Sequence, residues 1–172
     1  MIRLATSADL DAIERIYDDV HTGEEQGRSA IGWKRNIYPT RGTAAEAIDA
    51  GDMFVMEHGG AIIAAARINK IQVPEYAQVD WTVKAPDDEV MVLHTLAVLP
   101  SEAGRGYGSE FVAFYEKYAL ENGCRYLRMD TNVTNLRARA LYGRLGYREM
   151  SVIPCCFNGI EDVRLMCLEK NL

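Results

Sequence analysis

The sequence predicts an α/β fold in which helices flank a mixed sheet, built as a single domain over residues 1–172. Apolar runs of strand length alternate along the chain with amphipathic segments of helix length. The apolar run at 90–99 leads through a turn that contains Gly104, Gly106 and Gly108 into a long amphipathic segment. A chain of 172 residues can bury one core of its own, and no repeat or linker divides it.

The first half of the chain is predicted to supply two helices and three strands. Apolar residues recur at helical spacing from Leu10 to Val20, so a helix is predicted after the capping-box pattern at Thr6. The predicted elements are a strand at 1–5, a helix from Thr6 to about Val20, a polar flexible stretch at 21–31, a helix at 44–50 and a strand hairpin at 53–57 and 61–68.

The second half is predicted to contain the remaining helices and strands. An irregular segment at 69–87 comes first; it is long for a plain connection, and such segments are often functional. The predicted elements that follow are a strand at 90–99, a helix from the glycine-rich turn to Gly123, a strand at 124–130, a helix at 136–145 and strands at 147–153 and 161–169. The resulting order, β-α-α-β-β-β-α-β-α-β-β, is typical of a mixed α/β domain.

The composition argues against several classes of protein. A net charge of −6 does not suit a general nucleic-acid binder, because neutralising phosphates requires surplus Lys and Arg. No apolar run long enough to span a membrane and no signal-peptide block are present, so a cytoplasmic protein is expected. The four cysteines form no C-x-x-C pair, and Cys155 and Cys156 are adjacent, so reduced structural thiols are expected rather than a metal site, a disulfide or a redox centre.

The glycine-rich turn at 104–108 predicts an anion site. Glycines let backbone N–H groups point outward without a clash from a Cβ atom. The helix that follows adds the positive end of its dipole, which makes phosphate the ligand that such a turn suits. A tight strand-to-helix connection without a ligand is the simpler alternative, and the turn alone does not decide between them.

Two separated segments carry a resemblance to a known family. The stretch L-A-V-L-P at 96–100, followed by G-R-G-Y-G at 104–108, resembles the acetyl-CoA motif of the GCN5-related N-acetyltransferase (GNAT) family. The stretch N-L-R-A-R-A-L-Y-G-R-L-G-Y at 135–147 is similar to the family's N-x-x-A-x-x-L-Y-x-x-x-G-[FY] helix. The resemblance implies a single mixed, mostly antiparallel sheet flanked by helices, the GNAT-like acyl-CoA N-acyltransferase fold.

This resemblance implies an acetyl-CoA-dependent N-acetyltransferase that acts on a primary amine of a small molecule or peptide. Acetyl-CoA is then the co-substrate, no metal is needed, and a homodimer is allowed because homodimers are common among such proteins. The alternatives are a non-catalytic acetyl-CoA-binding sensor and an enzyme that acetylates the N-terminus or lysines of a protein. The sensor stays open because Ala103 stands where the family usually has Gln or Arg, and Val92 stands where many relatives have a carboxylate.

The resemblance also assigns residues to the co-substrate. Backbone groups of the fourth strand hold the pantetheine arm, and an N–H near Leu96 and Ala97 polarises the thioester carbonyl. The turn cradles the pyrophosphate, with Arg105 partly replacing the polar contact that Ala103 lacks. Asn135 matches the family's Asn that touches the arm, and it fits a helix N-cap equally well. The expected cofactor-binding residues are Leu96, Ala97, Val98, Gly104, Arg105, Gly106, Gly108, Ser109 and Asn135.

Two residues are expected to carry the proton transfers. Tyr142 matches the family tyrosine that protonates the leaving thiolate, and a core aromatic is the alternative for this position. Strand alternation places Val92, His94 and Leu96 on one face. The resemblance then implies that His94 projects to the side where the family carboxylate would sit, one step nearer the thioester. There it could accept the proton of the amine directly or through water, or it is a buried histidine of the sheet.

The acceptor amine is expected to contact residues of the irregular segments and of the fifth strand. Segments of this kind commonly wall the acceptor pocket in the family, and aromatic faces there can hold a cation or an apolar chain. A small aromatic cluster under the loops is the alternative. Asp130, at the end of the fifth strand, would contact the acceptor or cap the next helix. The expected substrate-binding residues are Trp33, Tyr38, Trp81 and Asp130.

Overall fold

The computed structural model describes every residue from 1 to 172. The strands are β1 (Ile2–Leu4), β2 (Met53–His58), β3 (Ala61–Asn69), β4 (Val90–Val98), β5 (Tyr126–Asn132), β6 (Arg148–Phe157) and β7 (Ile160–Asn171). The helices are α1 (Leu10–Glu25), α2 (Arg41–Asp49), α3 (Tyr107–Glu121) and α4 (Leu136–Arg144). This order confirms the predicted succession of elements.

All strands belong to one open sheet, in the order β1-β2-β3-β4-β5-β7-β6. Every neighbouring pair in it is antiparallel except β4 with β5, which are parallel. A parallel pair needs a crossover connection, and α3 provides it. The predicted fold, a single mixed and mostly antiparallel sheet flanked by helices, is confirmed.

The parallel strands β4 and β5 pair over only part of their length. Their last residue pair joins Leu93 to Met129, although both strands continue beyond it. The carboxyl halves of the two strands therefore diverge and leave a gap in the middle of the sheet. Backbone groups of β4 that face this gap have no strand partner on that side, so they are available to a ligand.

A β-bulge interrupts β4 at the start of this gap. Ala65 of β3 pairs with Ala97 and Arg67 pairs with His94, so the strand β4 carries one extra residue between these pairs. Thr95 in the bulge has a φ of +54°, which is rare for a residue other than glycine.

The bulge overturns one expectation about side-chain directions. Val92, His94 and Leu96 were expected on one face of the sheet. Leu96 instead packs with Leu93 in the apolar cluster between the sheet and α3. Val92 belongs to a cluster on the opposite face. Strict alternation fails here because the extra residue moves every later side chain of β4 to the other side. His94 therefore keeps the face of Val92, whereas Leu96 leaves it.

Apolar residues are buried on both faces of the sheet. The larger cluster lies against α3 and contains Phe111 and Tyr115 of that helix, and Tyr142 of α4 belongs to it. A second cluster joins α1 and α2 to the other face, and a third lies under the segment around Tyr76. No helix has both the length and the apolar character needed to cross a bilayer.

The stretch 21–31 was expected to be flexible and is ordered instead. Helix α1 continues to Glu25, five residues beyond its predicted end at Val20. The carboxylate of Glu24 accepts hydrogen bonds from the backbone N–H groups of Ile31 and Gly32, each at 2.8 Å. These bonds tie the segment that follows α1 to the helix, and this segment forms one wall of the site described below.

Candidate functional site

A cavity of about 430 Å³ opens where β4 and β5 diverge. Its walls come from α1, α2 and α4, from the segments 31–38 and 71–73, and from the hairpin between β6 and β7. Seven of the predicted site residues line it: Trp33, Tyr38, His94, Leu96, Asp130, Asn135 and Tyr142. Its volume is in the range of small-molecule sites.

His94 and Asp130 occupy matching positions on the two diverging strands. Each directly follows a member of the last residue pair, Leu93 or Met129, and each lines the cavity. Because side chains alternate along a strand, both point away from the face that carries Leu93 and Met129. Two titratable groups therefore stand on either side of the gap, on the same face of the sheet.

Asp130 is a carboxyl group of raised proton affinity. The hydroxyl of Tyr76 donates a hydrogen bond of 2.7 Å to its Oδ2 atom. Burial disfavours the charged form and raises the pKa of Asp130 to about 6, although the bond from Tyr76 opposes this. Its other oxygen has no partner in the chain. A carboxylate with a pKa near 6 can both hold a cation and accept a proton near neutral pH.

His94 shows the opposite shift. Burial, together with the positive charge of Arg67, lowers the pKa of His94 to about 4, and the nearby Asp52 carboxylate only partly compensates. The Nε2 atom of His94 lies 3.0 Å from Oδ1 of Asn69. The imidazole is therefore neutral at physiological pH, which makes it a hydrogen-bonding group there and a weaker base than Asp130.

Tyr142 lies on the opposite face of the sheet, in α4. Its ring is buried, with 6% of the residue exposed, and packs edge-on against Tyr147 with 6.0 Å between ring centroids. The hydroxyl has no hydrogen-bond partner in the chain, although Tyr142 lines the cavity. Burial raises the pKa of Tyr142 above its ordinary value, so the phenol keeps its proton at any working pH and can donate it to a bound molecule.

The glycine-rich turn presents a run of free backbone donors. No backbone N–H from Gly104 to Ser109 donates a hydrogen bond within the chain, whereas the neighbouring Ala103 and Glu110 both do. Gly104 and Gly106 have φ values of +84° and +88°, which only glycine adopts readily. These six consecutive N–H groups stand at the start of α3, where the helix dipole favours negative charge, so the turn fits a pyrophosphate.

The side chain of Arg105 is directed by a neighbouring carboxylate. It is 62% exposed, and its guanidinium lies 3.0 Å from Glu102. This ion pair reduces the repulsion between Glu102 and a bound anion, because it neutralises the carboxylate. The side chain of Ala103 offers no polar group, so the donors that this turn can offer to an anion are mainly its backbone N–H groups.

The two motif segments of the sequence come together in space. A Cβ atom on Gly108 would stand 3.2 Å from Cδ2 of Leu141, so the first turn of α3 touches α4 closely. Leu141 is the neighbour of Tyr142 in that helix. The glycine-rich turn and the helix that carries Tyr142 are therefore in direct contact.

The remaining predicted cofactor residues occupy different places. Ala97 is buried in the cluster of α1 and α2, and Val98 packs toward α3, so only their backbone groups could meet a ligand. Asn135 lines the cavity and also caps α4, with its Oδ1 accepting from the N–H of Ala138 at 3.2 Å. Both interpretations of Asn135 from the sequence are therefore compatible with its position.

Aromatic residues form one wall of the cavity. Trp33 packs edge-on against Tyr17 of α1 and against Tyr38, with 6.4 and 6.3 Å between ring centroids. The hydroxyl of Tyr38 is hydrogen-bonded to that of Thr95 in the bulge. Trp33 and Tyr38, which are far from β4 in sequence, are thus brought to its open edge.

Trp81 does not join this wall. It packs edge-on against Tyr76 at 5.2 Å, and the guanidinium of Arg128 lies 4.2 Å above its ring. Trp81 is absent from the cavity lining and belongs to the cluster beneath the segment 74–81. It supports Tyr76, whose hydroxyl holds Asp130.

Sequence reasoning did not single out several residues of this site. Glu46 of α2, Asn69 and Arg67 of β3, and Phe157 of the hairpin also line the cavity. These residues occupy ordinary helix and strand positions without a motif. Tyr76 differs from them, because it is one of the aromatic residues of the irregular segments that the sequence marks for the acceptor pocket. Its hydroxyl reaches Asp130 across 54 positions of sequence.

Comparison with known proteins agrees with this geometry. A family model described as "Acetyltransferase (GNAT) family" matches residues 11–147, which include both motif segments and most of the sheet. The chain belongs to the acetyltransferase (GNAT) family. This membership confirms the family resemblance of the two sequence motifs.

The chain is similar to acetyltransferases of more than one kind. The chain is 38% identical over 74 residues to N-alpha-acetyltransferase MAK3 of Arabidopsis thaliana, a match covering 42% of this chain and 39% of that protein. It is 24% identical over 119 residues to aminoglycoside N(6')-acetyltransferase type 1 of Salmonella typhimurium, covering 69% of this chain and 82% of that protein. The chain thus matches only about two fifths of the length of the plant relative.

Solved structures share the fold over the whole chain. An acetyltransferase of the GNAT family from Streptococcus agalactiae superposes with a TM-score of 0.85 at 19% identity, covering 100% of this chain and 95% of that one. YncA of Salmonella typhimurium, solved with its cofactor acetyl-CoA, has a TM-score of 0.70 at 18% identity and covers 100% and 93%. Both similarities extend well beyond the two motifs.

Proposed function

We propose that this protein transfers an acetyl group from acetyl-CoA to a primary amine of a small molecule or peptide. The observation that carries the proposal is the run of free N–H groups from Gly104 to Ser109, which is joined through Leu141 to a cavity that Tyr142 lines. The turn offers donors to the pyrophosphate, and the gap beside β4 offers a channel for the pantetheine arm. Membership of the GNAT family supports acetyl-CoA as the donor.

In the proposed reaction the amine nitrogen attacks the carbonyl carbon of the thioester. A C–N bond forms and the C–S bond breaks, so the sulfur leaves with the bonding electron pair. Tyr142 donates its proton to this developing thiolate, and a backbone N–H of β4 near Leu96 stabilises the negative carbonyl oxygen. The net reaction releases the thiol of CoA and the acetylated amine.

The attacking nitrogen must also lose a proton. Sequence reasoning gave the accepting role to His94, either directly or through water, with a buried histidine of the sheet as the alternative. The pKa values of about 6 for Asp130 and about 4 for His94 make Asp130 the stronger base, so we assign the proton to Asp130. His94, neutral at working pH, contributes a hydrogen bond that orients the amine.

The lining of the cavity supports a cationic amine that carries an apolar portion. Asp130 and Glu46 supply negative charge, and Trp33, Tyr38 and Phe157 supply aromatic surface. A protonated amine would be attracted by the carboxylates, and its apolar part would pack against the rings. The cavity volume of about 430 Å³ suits a small molecule or the end of a peptide.

The test is a CoA-release assay with a panel of aliphatic, aromatic and polyamine substrates and with short peptides, combined with a binding measurement for acetyl-CoA. We expect acetyl-CoA to bind and at least one amine to accelerate release of the thiol above hydrolysis. Mass spectrometry should show the acetyl group on nitrogen. Binding of acetyl-CoA without transfer to any amine would contradict the proposal and favour an acetyl-CoA sensor.

A further inference from the structure

His94 is connected to a chain of hydrogen bonds that leads away from the cavity. Its Nε2 atom lies 3.0 Å from Oδ1 of Asn69, at the end of β3. Asn69 in turn reaches the carboxylate of Asp52, in the turn before β2, and Asp52 accepts a bond of 2.9 Å from Nε of Arg67. The chain therefore runs from the site to a partly buried ion pair behind it.

The orientation of the Asn69 amide is determined by two contacts of opposite polarity. Its Oδ1 accepts from the backbone N–H of Ile71 at 2.9 Å, and an N–H can only donate. Its Nδ2 donates to Oδ2 of Asp52 at 2.7 Å, and an ionised carboxylate can only accept. A flipped amide would break both bonds, so the oxygen of Asn69 must face His94.

This orientation decides which nitrogen of the imidazole carries the proton. An amide oxygen has no hydrogen to donate, so the contact with Asn69 requires an N–H at Nε2. A neutral imidazole has one N–H, which leaves Nδ1 with a free electron pair. The contact with Asn69 is the one well-formed hydrogen bond of the ring, although the backbone of Ile71 also lies near it and raises the pKa of His94. Nδ1 is not sealed from solvent, and His94 lines the cavity.

We propose that Asn69, held by Asp52, is a positioning residue that keeps His94 in the Nε2–H tautomer and so presents Nδ1 as an acceptor to the amine. This inference rests on the proposed function for its catalytic meaning. In the other tautomer Nδ1 would carry a hydrogen and would repel an amine N–H. Neither Asn69 nor Asp52 touches the reacting atoms in this assignment; both act through the ring of His94.

The charges around the ring are consistent with this role. Arg67 and Asp52 are the charged groups that act on His94, and they form an ion pair of 2.9 Å with each other. Arg67 disfavours a second proton on the ring, whereas the bond that Nε2–H donates to Asn69 selects the position of the first proton. The ring therefore stays neutral and keeps one defined acceptor across the physiological pH range.

The direct test is nitrogen NMR of the wild-type protein labelled with 15N-histidine, because ring 15N shifts distinguish a protonated from a bare nitrogen. The variant His94→Asn identifies the signal of His94 among the three histidines. We expect His94 to show a protonated Nε2 and a bare Nδ1 at neutral pH. A protonated Nδ1 in the folded wild-type protein would overturn the inference. This reading needs no substrate, so it is independent of the proposed function.

The catalytic consequence is tested by Asn69→Ala, with Asn122→Ala as the matched control at the exposed end of α3, where the amide bonds only to the carbonyl of Tyr118. We expect Asn69→Ala to mix the two tautomers and lower kcat about tenfold, a loss of roughly 1.4 kcal/mol, with the KM for acetyl-CoA unchanged. Asp52→Asn has one oxygen for two donors, Arg67 and Asn69, so we expect it to loosen the Asn69 amide and to lower kcat less than Asn69→Ala does.

Full turnover of Asn69→Ala despite mixed tautomers would overturn the positioning role. A thermal unfolding curve for each variant shows whether that variant is folded at the temperature of the assay. If the wild-type protein transfers acetyl groups to no amine, the proposed function fails while the NMR result on the tautomer stands. The two failures are therefore distinguishable.

Discussion

His94 and Asp130 face each other across the point where β4 and β5 part, each one residue beyond the last pair that joins the strands. Their environments move their pKa values in opposite directions, to about 4 for the imidazole and about 6 for the carboxyl. Between these two values Asp130 gains a proton while His94 remains neutral. One position thus supplies a constant hydrogen-bond acceptor and the other a group that titrates.

The pH dependence of turnover should report the ionisation of Asp130. As the pH falls through about 6, Asp130 becomes protonated and can no longer accept the proton of the amine, so kcat should decrease. The measurement is kcat at saturating substrates between pH 5 and 8, with thiol release as the signal. In Asp130→Asn the decrease of kcat toward low pH should be absent, and kcat should be lower at every pH. The same decrease with an unchanged midpoint in that variant would argue against Asp130 as the base.

Asp130→Asn should also stabilise the folded protein. Burial raises the pKa of this acid from 3.8 to about 6 in the folded protein, so its ionisation destabilises the fold. This destabilisation is absent below pH 4 and reaches its full size above about pH 6. Because the carboxyl is partly open to the cavity, we expect a gain of about 2 kcal/mol in the free energy of unfolding at pH 7.5. The hydroxyl of Tyr76 can still donate to the amide oxygen.

Urea unfolding of both proteins at pH 4 and pH 7.5 measures this effect. The difference between wild type and Asp130→Asn should be near zero at the lower pH and positive at the higher one. Asp80→Asn, an exposed position outside the site, is the control and should change little at either pH. Equal stability of the wild type and Asp130→Asn at pH 7.5 would contradict the assigned pKa.

Tyr142→Phe should separate catalysis from binding. The hydroxyl has no partner in the chain, so its removal should leave the unfolding midpoint and acetyl-CoA affinity unchanged. Loss of the proton donor should lower kcat on the order of a hundredfold. Stopped-flow thiol release and a binding titration provide the two values.

Tyr147→Phe is the matched control for this change, because its ring packs on Tyr142 but does not line the cavity. It should keep wild-type turnover. If Tyr142→Phe and Tyr147→Phe have comparable activity, Tyr142 is not the proton donor and water protonates the thiolate.

Gly106→Ala should weaken acetyl-CoA binding through the backbone. Gly106 has a φ of +88°, and an alanine there costs roughly 1–2 kcal/mol or moves the turn and its N–H groups. We expect the dissociation constant for acetyl-CoA to rise about tenfold. Gly123→Ala has the same backbone strain, with a φ of +76° at the far end of α3.

The control variant Gly123→Ala should lose about as much stability as Gly106→Ala but should bind acetyl-CoA with wild-type affinity. Titration calorimetry with acetyl-CoA and with CoA, beside thermal unfolding of both variants, makes the comparison. An equal loss of affinity in Gly123→Ala would mean that α3 as a whole, rather than the turn, governs binding.

The order of elements and the anion turn could be predicted from the sequence because both depend on local patterns. Hydrophobic periodicity gave the strands and helices, and glycines at 104, 106 and 108 marked the turn. The extension of α1 to Glu25 was missed because Gly23 and its polar neighbours weaken the helical pattern. The backbone N–H groups of Ile31 and Gly32 donate to the Glu24 carboxylate and order this stretch, and a local sequence window does not contain these bonds.

The arrangement of the acid-base groups could be predicted only in part. His94 and Asp130 were found from strand positions, but the bulge at Thr95 turned Leu96 to the other face. Thr has no preference for a positive φ, so the local sequence contains no signal that predicts the bulge. The partners of these groups, Tyr76 and Asn69, are distant in sequence, so only the fold reveals the pKa order.

The bulge at Thr95 has a consequence for how two substrates meet. His94 and Asp130 lie on the face of α1, whereas Leu96 and Tyr142 lie on the face of α3 and α4. In the proposed reaction the donor and the acceptor would therefore approach from opposite sides of one sheet and react through the opening between its strands. Direct attack of the amine on acetyl-CoA requires both substrates to be bound at once. We therefore expect initial-rate plots at varied concentrations of the two to intersect rather than run parallel.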